Sequence, residues 1–128
     1  MILGVGIDTV SISDVERILE KGLNADEFFS KAEITAAKGE GDLPDYFSRC
    51  YAVKEATFKA LDHLMGDRDF DLNSVETLHH EDGAPYIHCS KELTKVLREI
   101  GVYDLKVSIT TEAGLATAIV IAQGKPNV

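Results

Sequence analysis

The sequence predicts an α+β fold in which a mainly antiparallel sheet is packed by helices, and three observations lead to it. A β-branched and apolar segment opens the chain, and two similar segments joined by a turn close it. The long segments between them carry apolar residues at helical spacing. At 128 residues, without repeats or low-complexity segments, the chain is predicted to form a single domain over 1–128.

The first strand is predicted over residues 2–12, which are rich in β-branched and apolar side chains. Side chains alternate between the two faces of a strand. If no bulge intervenes, Asp8 therefore points to the same side as Gly4 and Gly6.

Two short helices are predicted next, each from the spacing of a capping box. Ser13 with Glu16 predicts a helix that ends near Gly22, and Ser30 with Glu33 predicts a second helix. A loop follows, up to Pro44.

A long helix is predicted over residues 44–65, with an apolar stripe and Lys54 as an anomaly on that stripe. The stripe consists of Phe47, Cys50, Tyr51, Phe58, Leu61 and Met65. The remaining predictions are a hairpin of strands 75–79 and 86–89, a helix between Ser90 and Gly101, strands 105–109 and 115–122, and a frayed tail over 123–128.

Composition limits the classes of function. Lys and Arg number 13 against 22 Asp and Glu, a net charge of -9, whereas nucleic-acid-binding proteins usually carry a basic surface. We therefore expect no nucleic-acid partner. We also expect no membrane span, because no apolar run approaches the ~20 residues required. Two cysteines, Cys50 and Cys89, and an N-terminus without a basic segment favour the cytoplasm and predict no secretory signal.

Asp8 is the first candidate for chemistry, because it is an acid within an otherwise apolar strand. Burying a carboxylate is costly unless the group is paired, hydrogen-bonded or bound to a metal. The alternative interpretation is an exposed residue at the end of the strand.

Glu55 and Lys59 are the second candidate. They stand four residues apart with the acid first, which is the spacing of an ordinary surface ion pair. In the alternative interpretation, Glu55 binds a divalent cation and Lys59 binds an anionic substrate.

Together these residues form a more specific pattern. The segment Gly6-Ile7-Asp8, followed by Ala52-Val53-Lys54-Glu55-Ala56 and then Lys59, resembles the 4′-phosphopantetheinyl transferases. The hairpin segment Asp82-Gly83-Ala84-Pro85-Tyr86 and the closing strands are similar to the short holo-acyl-carrier-protein synthase type of that family. The resemblance covers nearly the whole chain.

The resemblance implies the fold of that family and a Mg²⁺-dependent reaction. In this reaction, 4′-phosphopantetheine moves from coenzyme A to a serine of an acyl carrier protein, and adenosine 3′,5′-bisphosphate is released. Asp8 and Glu55 are implied as metal ligands, and Asp8, Glu55 and Lys59 as the catalytic residues. Lys59 would bind a phosphate and either stabilise the departing charge or help to protonate it. A water beside the metal or a carboxylate, with Asp8 as the candidate, would take the serine proton. A homotrimer with active sites at subunit contacts is also implied.

For coenzyme A, the resemblance implies binding by Lys59, Gly83, Pro85, Arg49 and Thr111. Gly83 and Pro85 match a turn that lies against the nucleotide, where glycine permits close approach. Arg49 stands one residue before the family's arginine, which rotates the side chain by about 100° around a helix. Thr111 stands where the family commonly has a histidine.

The carrier protein of the family is acidic and normally meets a basic helix after the first strand. Here that helix offers Arg17 and Lys21 against Asp14, Glu16 and Glu20. We therefore expect weak electrostatic steering, or an unusual carrier. Whether the carrier serves fatty-acid or polyketide assembly is left open.

Two other functions are left open by the sequence. The departures at Arg49 and Thr111, with Ala84 in place of a lysine, favour a degenerate homologue that binds coenzyme A or a carrier without chemistry. The retained acids and Lys59 argue against that hypothesis. A weaker option is a metal-binding module formed by the hairpin residues His79, His80, His88 and Cys89.

Overall fold

The computed structural model describes residues 1–22 and 25–126. The helices are α1 Ile12–Glu20, α2 Lys31–Ala37, α3 Leu43–Met65 and α4 Lys91–Glu99, with short 3₁₀ turns at Ala25–Glu27 and Leu72–Ser74. The strands are β1 Ile2–Ser11, β2 Val75–His79, β3 Pro85–Cys89, β4 Asp104–Glu112 and β5 Leu115–Gln123. None of the helices within these ranges is long and apolar enough to cross a membrane.

The strands form two antiparallel sheets, which confirms the predicted α+β class. One sheet has the order β1-β5-β4, and the hairpin of β2 and β3 forms the other. The hairpin packs beside β4 as a separate sheet.

Helix α3 lies across one face of the three-stranded sheet and supplies the centre of the core. The buried residues that meet there are Ala52, Val53, Ala56, Ala60 and Leu61 on α3, and Ala118, Val120 and Ala122 on β5. They follow the helical period on α3 and the alternating period on β5, as predicted. Phe58 departs from the predicted buried stripe, because its side chain is 37% exposed and contacts Phe70 at the surface.

Gly4 and Gly6 let β1 touch α3 without an intervening side chain. A Cβ atom on Gly4 would overlap the carbonyl oxygen of Ala60, and one on Gly6 would overlap that of Ala56. The pairing of β1 with β5 has no irregularity after Gly4, so Asp8 lies on the same face as both glycines, as predicted. The contact therefore brings Asp8 close to α3.

Lys54 interrupts the apolar stripe of α3 because it belongs to a buried ion pair. Its Nζ lies 2.6 Å from Oε1 of Glu33, and both side chains are fully buried. Nζ also donates hydrogen bonds to the carbonyl oxygens of Leu72 and Val75. Buried charges are tolerated when they are paired and their remaining hydrogen-bonding capacity is used. The pair fastens α2 and the start of β2 to α3.

Glu33 serves as a helix cap and as the partner of Lys54. The predicted capping box is confirmed, because Ser30 Oγ accepts the Glu33 N–H and Glu33 Oε1 accepts the Ser30 N–H. The second carboxylate oxygen, Oε2, accepts the N–H of Thr77 on β2. One side chain thus connects two elements to the long helix.

Several predicted boundaries are wrong. Strand β1 ends at Ser11, one residue before its predicted end, and β4 extends to Glu112, three residues past its predicted end. The expected capping box at Ser13 is not formed, because α1 begins directly after Ser11 and the two serine hydroxyls hydrogen-bond to each other. Gln123 does not belong to a frayed tail, because it pairs with Ile2 and closes β5. The end of that predicted tail, residues 127–128, lies outside the described residues.

The face of the three-stranded sheet opposite α3 leaves apolar side chains uncovered. Val5 and Ile7 on β1 are 54% and 58% exposed. Ile119 on β5 stands directly opposite Ile7 and is 36% exposed. Adjoining exposed apolar residues are typical of an interaction surface.

Candidate active site

Asp8 lies on β1 where the strand passes α3, and it is paired. Its carboxylate Oδ1 lies 3.0 Å from Nζ of Lys59, and the same ammonium donates to the carbonyl oxygen of Ile7 at 3.1 Å. The Asp8 side chain is only 16% exposed. An acid within an apolar strand is therefore accommodated by a cation from the long helix.

Glu55 approaches the same space from α3. It lines, together with Asp8, a groove of about 420 Å³ between β1, α1 and α3. The wall of the groove is otherwise mainly apolar and includes Val10, Val15, Ile18, Leu19, Phe28 and Phe29. Within the described chain, Lys59 forms its ion pair with Asp8 and not with Glu55 on its own helix. The interpretation of Glu55 and Lys59 as a simple surface pair is therefore wrong.

Tyr51 is a residue of this site that the sequence reasoning missed. The sequence places it on the apolar stripe, but the tyrosine lines the groove beside Asp8 and Glu55. Burial raises the pKa of its phenol, and the charge and hydrogen bonding of Glu55 and the charge of Asp8 raise it further. The phenol is therefore a proton donor next to the two acids. A tyrosine one helical turn before a candidate acid is the signal that could have identified it.

Asp8 and Glu55 fit a hard divalent cation. Mg²⁺ takes oxygen ligands, and at phosphate sites it uses one or two carboxylates together with waters and substrate phosphates. Asp8 and Glu55 supply two carboxylates at one groove. Residues 1–22 and 25–126 contain no cluster of three or more metal-ligating side chains. This donor set is suited to a metal that completes its coordination with a substrate.

The other residues predicted to bind coenzyme A lie elsewhere in a single chain. Arg49 donates from Nε to Oδ1 of Asp45 at 2.8 Å. Gly83, with φ +90°, lies in the turn that precedes Pro85, the first residue of β3. Thr111 is exposed on β4, which β5 separates from β1. None of these four lines the groove in the described part of the chain.

The hairpin histidines have partners other than a metal. Nδ1 of His88 lies 2.8 Å from Oε1 of Glu76, and His80 stacks on Tyr86 with ring centroids 4.3 Å apart. These contacts give the weaker option of a histidine metal module no support.

Comparison with known proteins agrees with this geometry. The family described as the 4′-phosphopantetheinyl transferase superfamily matches residues 4–120. The holo-[acyl-carrier-protein] synthase of Streptomyces griseus subsp. griseus is 34% identical to this chain over 125 residues, which cover 97% of this chain and 100% of that relative.

Solved structures extend the similarity to the fold. The holo-[acyl-carrier-protein] synthase of Neisseria meningitidis superimposes with a TM-score of 0.86 at 26% identity, covering 96% of this chain and 99% of that one. The Helicobacter pylori synthase, solved in complex with coenzyme A, has a TM-score of 0.76 at 27% identity, with 93% and 99% covered. Motif, sequence and fold agree, and the chain belongs to the 4′-phosphopantetheinyl transferase superfamily of enzymes, within the holo-[acyl-carrier-protein] synthase family.

Proposed function

We propose that this chain transfers 4′-phosphopantetheine from coenzyme A to a serine of an acyl carrier protein, with Mg²⁺ as cofactor and adenosine 3′,5′-bisphosphate as by-product. The observation that carries the proposal is the meeting of Asp8 and Glu55 at one groove, with Lys59 paired to Asp8 although the two are 51 residues apart in sequence. The names of the relatives and the coenzyme A complex of the H. pylori protein support these substrates.

The bonds that change define what the site must provide. The serine oxygen bonds to the phosphorus that bears pantetheine, the bridging P–O bond of the pyrophosphate breaks, and negative charge develops on the departing bisphosphate. Mg²⁺ held by Asp8 and Glu55 would supply charge neutralisation at the phosphates. Lys59 would bind a phosphate oxygen and stabilise the departing charge. Asp8, or a water beside the two carboxylates, would accept the serine proton.

The decisive experiment is incubation with coenzyme A, Mg²⁺ and several apo carrier proteins, followed by mass spectrometry of the carriers. We expect a gain of one phosphopantetheine on a carrier. We expect Asp8→Asn and Glu55→Gln to abolish the gain while circular dichroism stays unchanged, because each removes a charged metal ligand. Glu92→Gln, which changes an exposed acid on α4, is the matched control.

Two results would contradict the proposal. Full activity of either acid variant would refute the assignment of the site. Coenzyme A binding without modification of any carrier would identify a degenerate homologue.

We also infer that the active protein is a homotrimer. The uncovered face formed by Val5, Ile7 and Ile119 supports contact with further copies of the chain. Active sites at subunit contacts would also explain why Thr111 and the Gly83 turn lie away from the groove in one chain. Sedimentation analysis should give the mass of a trimer for the wild type and a smaller mass for Ile7→Lys. A monomeric, fully active wild type would contradict the inference.

Helix α1 supports a carrier contact that depends little on charge. Arg17 is ion-paired with Asp14 of the same helix, while Ile18 is 41% exposed at the groove. We expect the KM for an acidic carrier to change by less than about threefold between low and moderate salt. A steep rise of KM with salt would show that electrostatic steering dominates instead.

We place the reaction in the cytoplasm. Cys50 and Cys89 are both unpaired. Unpaired, largely buried thiols are typical of proteins in a reducing compartment. Fractionation of cells that produce the protein, with activity measured in each fraction, tests this placement.

A further inference from the structure

We propose that Lys59 is the resident counter-ion of Asp8 in the metal-free protein, and that it competes with the divalent cation for this carboxylate. The inference rests on the proposed role of Asp8 and Glu55 as metal ligands. It adds that the binding of metal and the binding of the anionic substrate are coupled through one lysine.

The contacts of Lys59 carry the inference. Its ammonium lies 3.0 Å from Oδ1 of Asp8 and 3.1 Å from the carbonyl oxygen of Ile7, so it bridges a side chain and a main-chain atom of β1. The lysine originates on α3, one helical turn after Glu55. The cation is therefore held at the same acid that a metal would use.

The two partners differ in their freedom to move. The Lys59 side chain is 52% exposed, whereas that of Asp8 is 16% exposed. Lys59 is therefore free to turn into solvent or towards a ligand, while Asp8 stays at the groove. Displacement of the ammonium requires no change in the backbone.

The positive charge of Lys59 couples the binding of metal to the binding of phosphate. A divalent cation between Asp8 and Glu55 would lie close to the ammonium of Lys59, and like charges repel. Lys59 must either leave Asp8 or weaken the binding of the metal. A substrate phosphate offers the ammonium another partner and releases the carboxylate. Metal and phosphate therefore bind cooperatively, and the coupling is reciprocal.

The counter-ion role predicts a direction for the change in metal affinity on loss of Lys59 that other roles do not predict. If Lys59 only bound phosphate, its loss would leave the affinity for metal alone unchanged. If Lys59 only oriented Asp8, its loss would weaken metal binding. A competing counter-ion predicts that its loss strengthens metal binding.

The experiment measures the affinity of the protein for Mn²⁺, which replaces Mg²⁺ as the probe, in the absence of coenzyme A. The concentration of free Mn²⁺ is followed by its electron paramagnetic resonance signal at fixed ionic strength. We expect Lys59→Met to bind Mn²⁺ about 3–10-fold more tightly than the wild type, a modest factor because the lysine is half exposed. Lys59→Arg keeps the cation and should remain near the wild type. Lys95→Met removes an exposed lysine from α4 and should have no effect.

Each outcome is informative. Unchanged or weaker Mn²⁺ binding by Lys59→Met overturns the counter-ion role and leaves the proposed function intact. Asp8→Asn and Glu55→Gln should weaken Mn²⁺ binding by at least about tenfold. If neither does, the metal assignment itself is wrong. Added coenzyme A should tighten Mn²⁺ binding more in the wild type than in Lys59→Met, and an equal gain in both would overturn the coupling.

Discussion

Helix α3 carries two lysines five residues apart whose ion pairs have opposite environments. The pair of Lys54 and Glu33 is completely buried, and its hydrogen bonds are used within the protein. The pair of Lys59 and Asp8 lies beside an open groove, with the lysine half exposed. The first pair holds elements together, whereas the second leaves its partners available to a ligand. Neighbouring charged residues of one motif thus divide into one that positions the helix and others that lie at the proposed active site.

The largest expected effect is on stability at the buried pair. Lys54→Met should lower the free energy of unfolding by about 3–5 kcal/mol, because Glu33 is left as a buried charge without a counter-ion. Urea denaturation followed by circular dichroism measures the change. Lys59→Met is the matched control and should change stability by less than about 1 kcal/mol. An equal loss of unfolding free energy in the two variants would show that the two ion pairs do not differ in their contribution to stability.

The next effect is on transfer at the exposed pair. Lys59→Met should lower kcat/KM by at least about 100-fold, because it removes the group that we propose stabilises the departing charge. The rate of mass gain on the carrier gives the value, and a thermal scan should show an unchanged Tm. Activity within about threefold of the wild type would exclude the exposed pair from the chemistry.

A smaller effect is expected when both members of the buried pair become apolar. Glu33→Leu combined with Lys54→Met should be more stable than Lys54→Met alone by about 2 kcal/mol, because no unpaired charge remains. Recovery should be incomplete, because the carbonyl groups of Leu72 and Val75 lose their donor. Parallel urea denaturation of the double variant and of the two single variants, Lys54→Met and Glu33→Leu, measures this difference. A double variant less stable than either single variant would show that the charges are not mutually compensating.

The smallest effect concerns the hydroxyl beside the two acids. Tyr51→Phe removes a donor to Glu55 and keeps the ring in the groove, so Mn²⁺ affinity should fall by about two- to fivefold. The free energy of unfolding should change by less than about 1 kcal/mol. Titration with Mn²⁺ measures the first change and urea denaturation the second. An unchanged affinity for Mn²⁺ would show that the Tyr51 hydroxyl has no role in metal binding and that the residue only lines the groove.

The elements of the fold could be predicted because each follows from a local pattern. The alternation in β5 and the helical period of α3 are properties of short segments, and both are confirmed. The capping box at Ser30 is real, whereas the same spacing at Ser13 is not used, because the hydroxyl of Ser13 bonds to that of Ser11. Spacing reveals which bonds are available but not which competing bond forms.

The charged members of the candidate site were predictable from the sequence, whereas Tyr51 and the pairing of the charges were not. Asp8, Glu55 and Lys59 stand out by residue type and motif. The rule for helical ion pairs considers four residues of sequence, and therefore predicts Glu55 as the partner of Lys59. The actual partner lies 51 residues away, and contacts of that separation are set by packing. The buried partner of Lys54 was missed for the same reason.

The contact between Gly6 and Ala56 determines how the acids are spaced. No side chain separates strand from helix there, so main-chain atoms alone set the distance between the backbones that carry Asp8 and Glu55. Rotamer changes in the surrounding core leave that distance unaltered. In a saturation library, we therefore expect wide tolerance among the apolar residues of the groove and almost none at position 6. There a single methyl group would move apart the two carboxylates that we propose as ligands of the metal ion.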